Sequence, residues 1–471
     1  MNFFSRLIFV YIFVLGLIFT LLVPPFQKPD EQGHFIRSIL LSHGKIMLTN
    51  KDEKLPVEKQ YYDLVHDPLL NKIPYHPQKK FNLNWYNQSP FASKEVYKLV
   101  NEEAWGQFML PASSYILYIF GIFVAQIFHL NAYLTFFLGR FSMFLLVFIW
   151  MLFLYKKTPQ LYKPIILFVF SLPMFIHQIT GYNYDAMQYM MGLSIFVLLL
   201  KKLQQKTLSL FDLGVLSLFF ILILIMKLSF EPLLLLIFVI PYKKISKTFS
   251  VYIKKITIVM GIIIFGYIVF KLSFFISASQ YTHHPKGVNP IDQMQYVLHN
   301  PFTYLTIFAQ STFRLAKFHI QGIIGIFGWL DYSMSWWVYV LFIGNGILII
   351  CLTKVNKKDL LKSWQLCIIA CSLCLTYAFM MTIFYLNWKT VGSHVIDGTQ
   401  GRYFIVFVPF VLYFFIHLKY YIVHDNKFRF PHIVYTSSIL QKNPLILKIG
   451  SILILSLVTQ NIVMAILKRY Y

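Results

Sequence analysis

Apolar runs close to twenty residues long recur from one end of this 471-residue chain to the other, and no other feature limits its fold as tightly. A helix of that length crosses about 30 Å of hydrocarbon, and inside a bilayer only helices and closed barrels satisfy every backbone amide. The runs fall near residues 5–25, 133–155, 164–180, 186–200, 208–226, 229–241, 256–275, 335–353, 363–386, 402–422 and 446–467. They predict an all-α polytopic membrane protein with about 11 transmembrane helices. Only 13% of the residues are charged, against about 25% in soluble proteins. With no internal repeat and no soluble segment of its own, the whole of 1–471 reads as one integral membrane domain.

Charge fixes the orientation. The net charge of +24 is carried largely by short loops between the runs: Lys156 and Lys157; Lys201, Lys202 and Lys206; Lys243, Lys244 and Lys247; Lys354, Lys357 and Lys358. Basic loops stay on the cytoplasmic side, so the charge reflects topology and points away from nucleic acid. Arg6 precedes the first run, which is longer than a secretory signal and has no small-residue cleavage site after it. The expectation is a retained first span and an inside N-terminus. Reading 111–129 as an outer-face or re-entrant helix keeps every later basic loop inside and puts the C-terminus outside, with Lys468 and Arg469 on the disfavoured side. Two large outer segments result, the first extracytoplasmic loop (26–132) and a second at 276–334. The first holds ten of the 18 acidic residues, and its scattered aromatics (Tyr61, Tyr62, Trp85, Tyr86, Phe91, Tyr97, Trp105) suit a cap on the membrane interface. Cys367, Cys371 and Cys374 form a helical packing stripe, and His283-His284 reads as solvated loop.

The most informative polar stretch is PPFQKPDEQGHFIRSILLS, residues 24–42, just past the first run. Pro29 suits the first helical position, which puts Asp30 and Glu31 in the first turn, where the helix dipole favours negative charge. Asp30, His34 and Arg37 then share one face, read as turned to water, with apolar residues opposite. Asp185 in GYNYDAMQ, Lys227 in MKLSFEP, Asp331 in GWLDY, and Arg402 with Tyr403 in GTQGRYF fall on the same membrane side. Ionisable groups at such depth are functional candidates. A carboxylate there can act as general base, and an arginine after the Gly398–Gly401 turn can grip a phosphate bidentately.

At these motifs the chain resembles a bacterial family of predicted polytopic membrane proteins of unknown function, grouped with the GT-C class of membrane glycosyltransferases. PPFQKPDEQGHFIRS, NYDA, GWLDY and GTQGRYF occur in order across most of the sequence. The resemblance implies a GT-C-like fold with interfacial helices in the first outer loop and a polyprenyl-phosphate sugar donor. It implies Asp30 as catalytic base with Glu31 or His34 assisting. Arg37, Asp185, Lys227, Asp331, Arg402 and Tyr403 are then expected to bind substrate or lipid phosphate. It leaves room for a divalent metal, Mg or Mn, without supplying a ligand set. The expected activity is inverting transfer of a hexose to a cell-envelope glycan or lipid-linked acceptor, on the outer face of a bacterial cytoplasmic membrane. A lipid-linked saccharide flippase and a polysaccharide polymerase are the alternatives.

Overall fold

In the computed structural model, residues 1–46, 55–84, 89, 91, 98–102, 110–278, 287–423 and 444–471 are described. Trp85, Tyr86, Tyr97, Trp105 and the His283-His284 pair lie outside them. Among the described residues seven helices are long and apolar enough to cross a membrane. They are α1 (Phe3–Leu22), α4 (Ala132–Lys157), α7 (Asp185–Gln204), α9 (Phe249–Ala278), α13 (Ser363–Trp388), the Gly401–Ile422 segment and α15 (Pro444–Tyr470).

The run at 164–180 is two helices, α5 (Lys163–Ser171) and α6 (Pro173–Ile179), bent by 66°. Pro173 accounts for the bend, because it has no amide to donate and its ring crowds the preceding turn. Counted as one span, the pair gives eight crossings. The expected eleven needs three shorter elements as well: α8 (Leu210–Met226), a 3-10 helix over Leu228–Val239, and α12 (Trp336–Leu352). Pro232 stands inside the 3-10 helix, where it interrupts α-helical hydrogen bonding. Two carbonyls of this element are taken up by α13: Ser372 Oγ donates to Pro232 O (3.0 Å) and Gln365 Nε2 to Val239 O (2.7 Å).

The connecting elements depart from a purely helical expectation. Leu55–Glu58 pairs antiparallel with Leu99–Glu102, and Ile326–Phe327 with Tyr332–Ser333. Residues 111–129 form a short helix, α3 (Ile116–Ile127), that lies along α4 and is tied to it by Ser142 Oγ donating to Leu117 O (2.7 Å). In the second outer segment α10 (Pro290–His299) leads into α11 (Pro301–Ile324), and the chain re-enters through a 3-10 helix at Gly401–Phe407 continued by α14 (Val408–Val423).

Helices α1 and α15 run parallel. Lys448 Nζ sits 5.1 Å from the Phe3 ring at one end, and Tyr471 Oη donates to Leu22 O (3.2 Å) at the other. The lysine-rich loops gather at the Phe3 end, where Lys202 pairs with Asp212, Lys244 donates to Leu203 O, and Lys419 donates to Ile350 O. The acidic motifs gather at the Leu22 end. One end of the bundle is basic and the other carries the candidate chemistry, the polarity that a positive-inside protein requires.

The first outer motif is placed differently from expectation. The helix starts at Glu31 as α2 (Glu31–Ser42), and Asp30 is its N-cap residue in the left-handed region (φ 62°). Every residue from Glu31 through Leu41 is buried. His34 and Arg37 therefore face protein, where a water-facing side was expected. The reason is packing on both sides: α3 covers one face of α2, while Phe35 meets Tyr61, Phe136 and Tyr182 on another.

Candidate functional site

A buried ion pair holds the motif in place. Arg140, two turns into α4, is fully buried, and so is Glu31. Arg140 Nε and Nη2 donate to Glu31 Oε1 (2.9 Å) and Oε2 (2.6 Å), and Nη1 and Nη2 reach the carbonyls of Val23 (2.6 Å) and Pro24 (3.2 Å). The Tyr182 amide also donates to Glu31 Oε1 (3.0 Å). Lys28, likewise buried, donates to His177 O (2.5 Å) and Thr180 Oγ1 (3.1 Å) at the end of α6. Trp329 Nε1 binds Phe26 O (3.0 Å), and the Tyr470 hydroxyl donates to Gln27 O (3.3 Å). These fastenings hold Phe26 and Asp30 at positive φ (63° and 62°), a conformation that costs a non-glycine residue energy and clusters at functional sites.

Asp30 is the product of that scaffold. Its side chain is exposed while its neighbours on both sides are buried. Crowding by surrounding protein raises its pKa above the usual carboxylate value; the Arg402 charge opposes this and the Asp185 charge adds to it. A carboxylate that water reaches, with raised basicity and no capping bond to its own helix, is suited to accept a proton. His34 lies one turn behind, its Nδ1 2.6 Å from the Tyr115 hydroxyl and its ring beside Tyr184 (centroids 5.8 Å). Burial, reinforced by the Arg402 charge, pulls the His34 pKa down to about 3, so the imidazole is neutral at physiological pH.

Two other motifs complete the cluster. In NYDA the Asn183 side chain accepts from Ala186 N (3.1 Å) and donates to Gln178 O (2.6 Å), which sets Asp185 at the first turn of α7. In GTQGRYF, Gly398 supplies a turn at φ 88°, and Gly401 lets the chain pass against α11: a Cβ there would stand 2.2 Å from His319 O and 2.6 Å from Gly322 Cα. The turn delivers Arg402, whose Nε lies 3.2 Å from Asp185 Oδ2. Lys227, at the C-cap of α8, places its Nζ 3.4 Å from the centre of the Tyr403 ring and 5.8 Å from that of Tyr184. Among the described residues, Lys227 Nζ, Asp185 Oδ1 and Gln188 Nε2 are the atoms of this cluster buried without a hydrogen-bond partner, while Arg402 Nε is held by Asp185. Buried polar groups are normally satisfied, so such a concentration marks a place built to meet a polar ligand.

The expected site residues thus divide. Electrostatics and ring contacts join Asp30, His34, Asp185, Lys227, Arg402 and Tyr403 in one cluster. Glu31 is taken up by Arg140 and Tyr182, in place of assisting at the reacting atoms. Arg37 donates to Lys45 O (3.0 Å) and Ile46 O (2.7 Å) and closes the far end of α2. Asp331 Oδ2 holds Arg469 (2.5 Å) at the end of α15, in place of binding substrate. Lys28, Arg140, Tyr115 and Gln188 join the site only through the fold. Arg140 was the detectable one, as a lone charge inside an apolar run. Among the described residues no three His, Cys, Asp or Glu side chains group as metal ligands.

A family model described as a predicted membrane protein (DUF2142) matches residues 13–411, and the chain belongs to that family. No curated protein and no solved structure matches it.

Proposed function

We propose that this DUF2142 membrane protein is a GT-C-type glycosyltransferase, acting at the outer face of a bacterial cytoplasmic membrane that it crosses about eleven times. Its donor is a polyprenyl-phosphate-linked sugar and its acceptor a cell-envelope glycan or lipid-linked saccharide. The observation that carries the reading is the exposed Asp30 within reach of the Arg402 charge, together with the buried Lys227, whose Nζ makes no hydrogen bond among the described residues. A general base near such cations suits displacement of a phosphate by a hydroxyl.

In the reaction, the acceptor hydroxyl gives its proton to Asp30 as its oxygen bonds to the sugar C1. The bond from C1 to the phosphate oxygen breaks with its electron pair, and polyprenyl phosphate leaves. Lys227, whose Nζ lies over the Tyr403 ring and makes no hydrogen bond among the described residues, meets the developing phosphate charge. Arg402 adds positive potential, held by Asp185 and the Tyr403 face. Attack opposite the leaving group inverts the anomeric centre. Neutral His34 and Tyr115 back the base. A lipid-linked donor is favoured over a soluble one because Asp185 and Lys227 sit where the apolar helices α7 and α8 end. The test is whether Asp30→Asn, correctly inserted, loses donor turnover.

A further inference from the structure

The same end of the bundle carries a feature that the proposed chemistry leaves unused. Helix α13 ends in Phe384-Tyr385-Leu386-Asn387-Trp388, and Phe384 and Trp388, four residues apart, share a face. Their ring centroids are 6.5 Å apart with planes 20° from parallel; Phe384 and Tyr403 are 5.9 Å apart at 29°. Most other aromatic pairs here meet tilted or edge-on, as in the Phe9–Tyr155 contact at 75°. At these separations near-parallel rings are offset and leave part of each face uncovered. Burial is graded along the row, from Trp388, 60% exposed, through half-buried Phe384 to Tyr403, 7% exposed. The row ends at Lys227 Nζ, over the Tyr403 ring.

Polar groups flank it. Lys389 and Asp397 form an ion pair (2.7 Å), and the Gln400 Oε1 atom is buried without a partner. Gly398, at φ 88°, brings the loop against the row: a Cβ there would lie 3.0 Å from the Phe384 ring. A pyranose has one face of C–H bonds and a rim of hydroxyls, so consecutive sugars can lie on aromatic faces while their rims reach such groups. An interfacial tryptophan ordinarily anchors a helix at the headgroups, but anchoring asks nothing of ring alignment and leads to no cationic pocket.

We propose that Trp388, Phe384 and Tyr403 form a saccharide track that seats the acceptor glycan and directs its terminal hydroxyl toward Asp30. This rests on the transferase reading and adds to it the acceptor's class: an oligosaccharide with pyranose faces free to stack, in preference to a peptide or a bare lipid. Gln400 and the Lys389–Asp397 pair read its hydroxyls.

The test uses the full chain in nanodiscs, with cellohexaose and chitohexaose as probes and saturation-transfer NMR as readout. Transfer to the C–H protons of one sugar face is expected for at least one probe. Trp388→Ala and Phe384→Leu weaken binding about tenfold, while Trp388→Phe, which keeps a ring but not an indole, stays within about threefold. Absence of binding by both probes, or binding that survives both Trp388→Ala and Phe384→Leu, overturns the track. Release of polyprenyl phosphate by the wild-type protein is measured in parallel. Release without saccharide binding rejects the track alone, and binding without release rejects the transferase reading alone.

Discussion

Removing both partners of the Glu31–Arg140 pair is expected to cost less than the two single removals added together. Both side chains are fully buried, and the carboxylate accepts from two guanidinium nitrogens and the Tyr182 amide. Glu31→Leu leaves a guanidinium with only the Val23 and Pro24 carbonyls as partners. Stranding a buried charge in this way costs about 3–5 kcal/mol. Arg140→Met strands the carboxylate and also orphans those carbonyls, each unpaired buried group adding about 1–3 kcal/mol. The double variant has no stranded charge, but still leaves the Val23 and Pro24 carbonyls and the Tyr182 amide unpaired. It stays below wild type and loses about 2–3 kcal/mol less than the two single losses added together. Unfolding of the purified proteins in mixed micelles, followed against the mole fraction of SDS, measures all four corners of the cycle. Additivity within about 0.5 kcal/mol, or an Arg140→Met protein as stable as wild type, would refute the reasoning.

Gly401→Ala should destabilise the re-entry of the chain or prevent folding, because its Cβ would overlap backbone atoms at His319 and Gly322 that have no rotamer by which to move; thermal scanning beside Gly398→Ala, strained by φ and less by space, ranks the two. Acid should weaken the protein through His34. Its folded pKa, about 3, lies below the unfolded value near 6.5, so the unfolded state binds a proton first. Stability is lost as pH falls from about 6.5 toward 3, by at most about 1.4 kcal/mol per unit. A His34→Gln protein, weaker at neutral pH, should show a flatter profile over that range, and a parallel profile would refute the assignment.

How far the sequence led depended on whether the signal was local. Apolar runs located α1, α4, α7, α13 and α15 to within a few residues, because burial of about twenty consecutive residues in lipid leaves a mark that needs no partner, while α9 begins seven residues before its predicted run. The bend at Pro173 was missed, because 164–180 reads as one apolar run. Long-range pairing was not legible. The helical spacing of Asp30, His34 and Arg37 suggested a water-facing edge, because periodicity records which residues share a face and not what covers it. Here α3 and the Phe35–Phe136–Tyr182 cluster cover it. Glu31 looked like an equal of Asp30 until Arg140, 109 residues away, claimed it. Asp331 likewise gave no sign of Arg469. The convergence of Asp185, Lys227 and Arg402 was legible only as a shared membrane side; the contact of the Tyr403 ring with both cations and the Arg402–Asp185 pair came from the fold.

The measurement that bears most directly on Asp30 is sugar release in proteoliposomes. Wild-type and Asp30→Asn proteins, matched for insertion and thermal stability, are supplied with polyprenyl-phosphate-linked sugars and a cell-envelope glycan extract. Free polyprenyl phosphate from the wild type, with release at least about 100-fold slower from Asp30→Asn, is the predicted result, within the span attributed to a general base. Equal release from both proteins would contradict Asp30 as the base, and intact sugar-lipid crossing the bilayer without release from either would contradict transfer altogether.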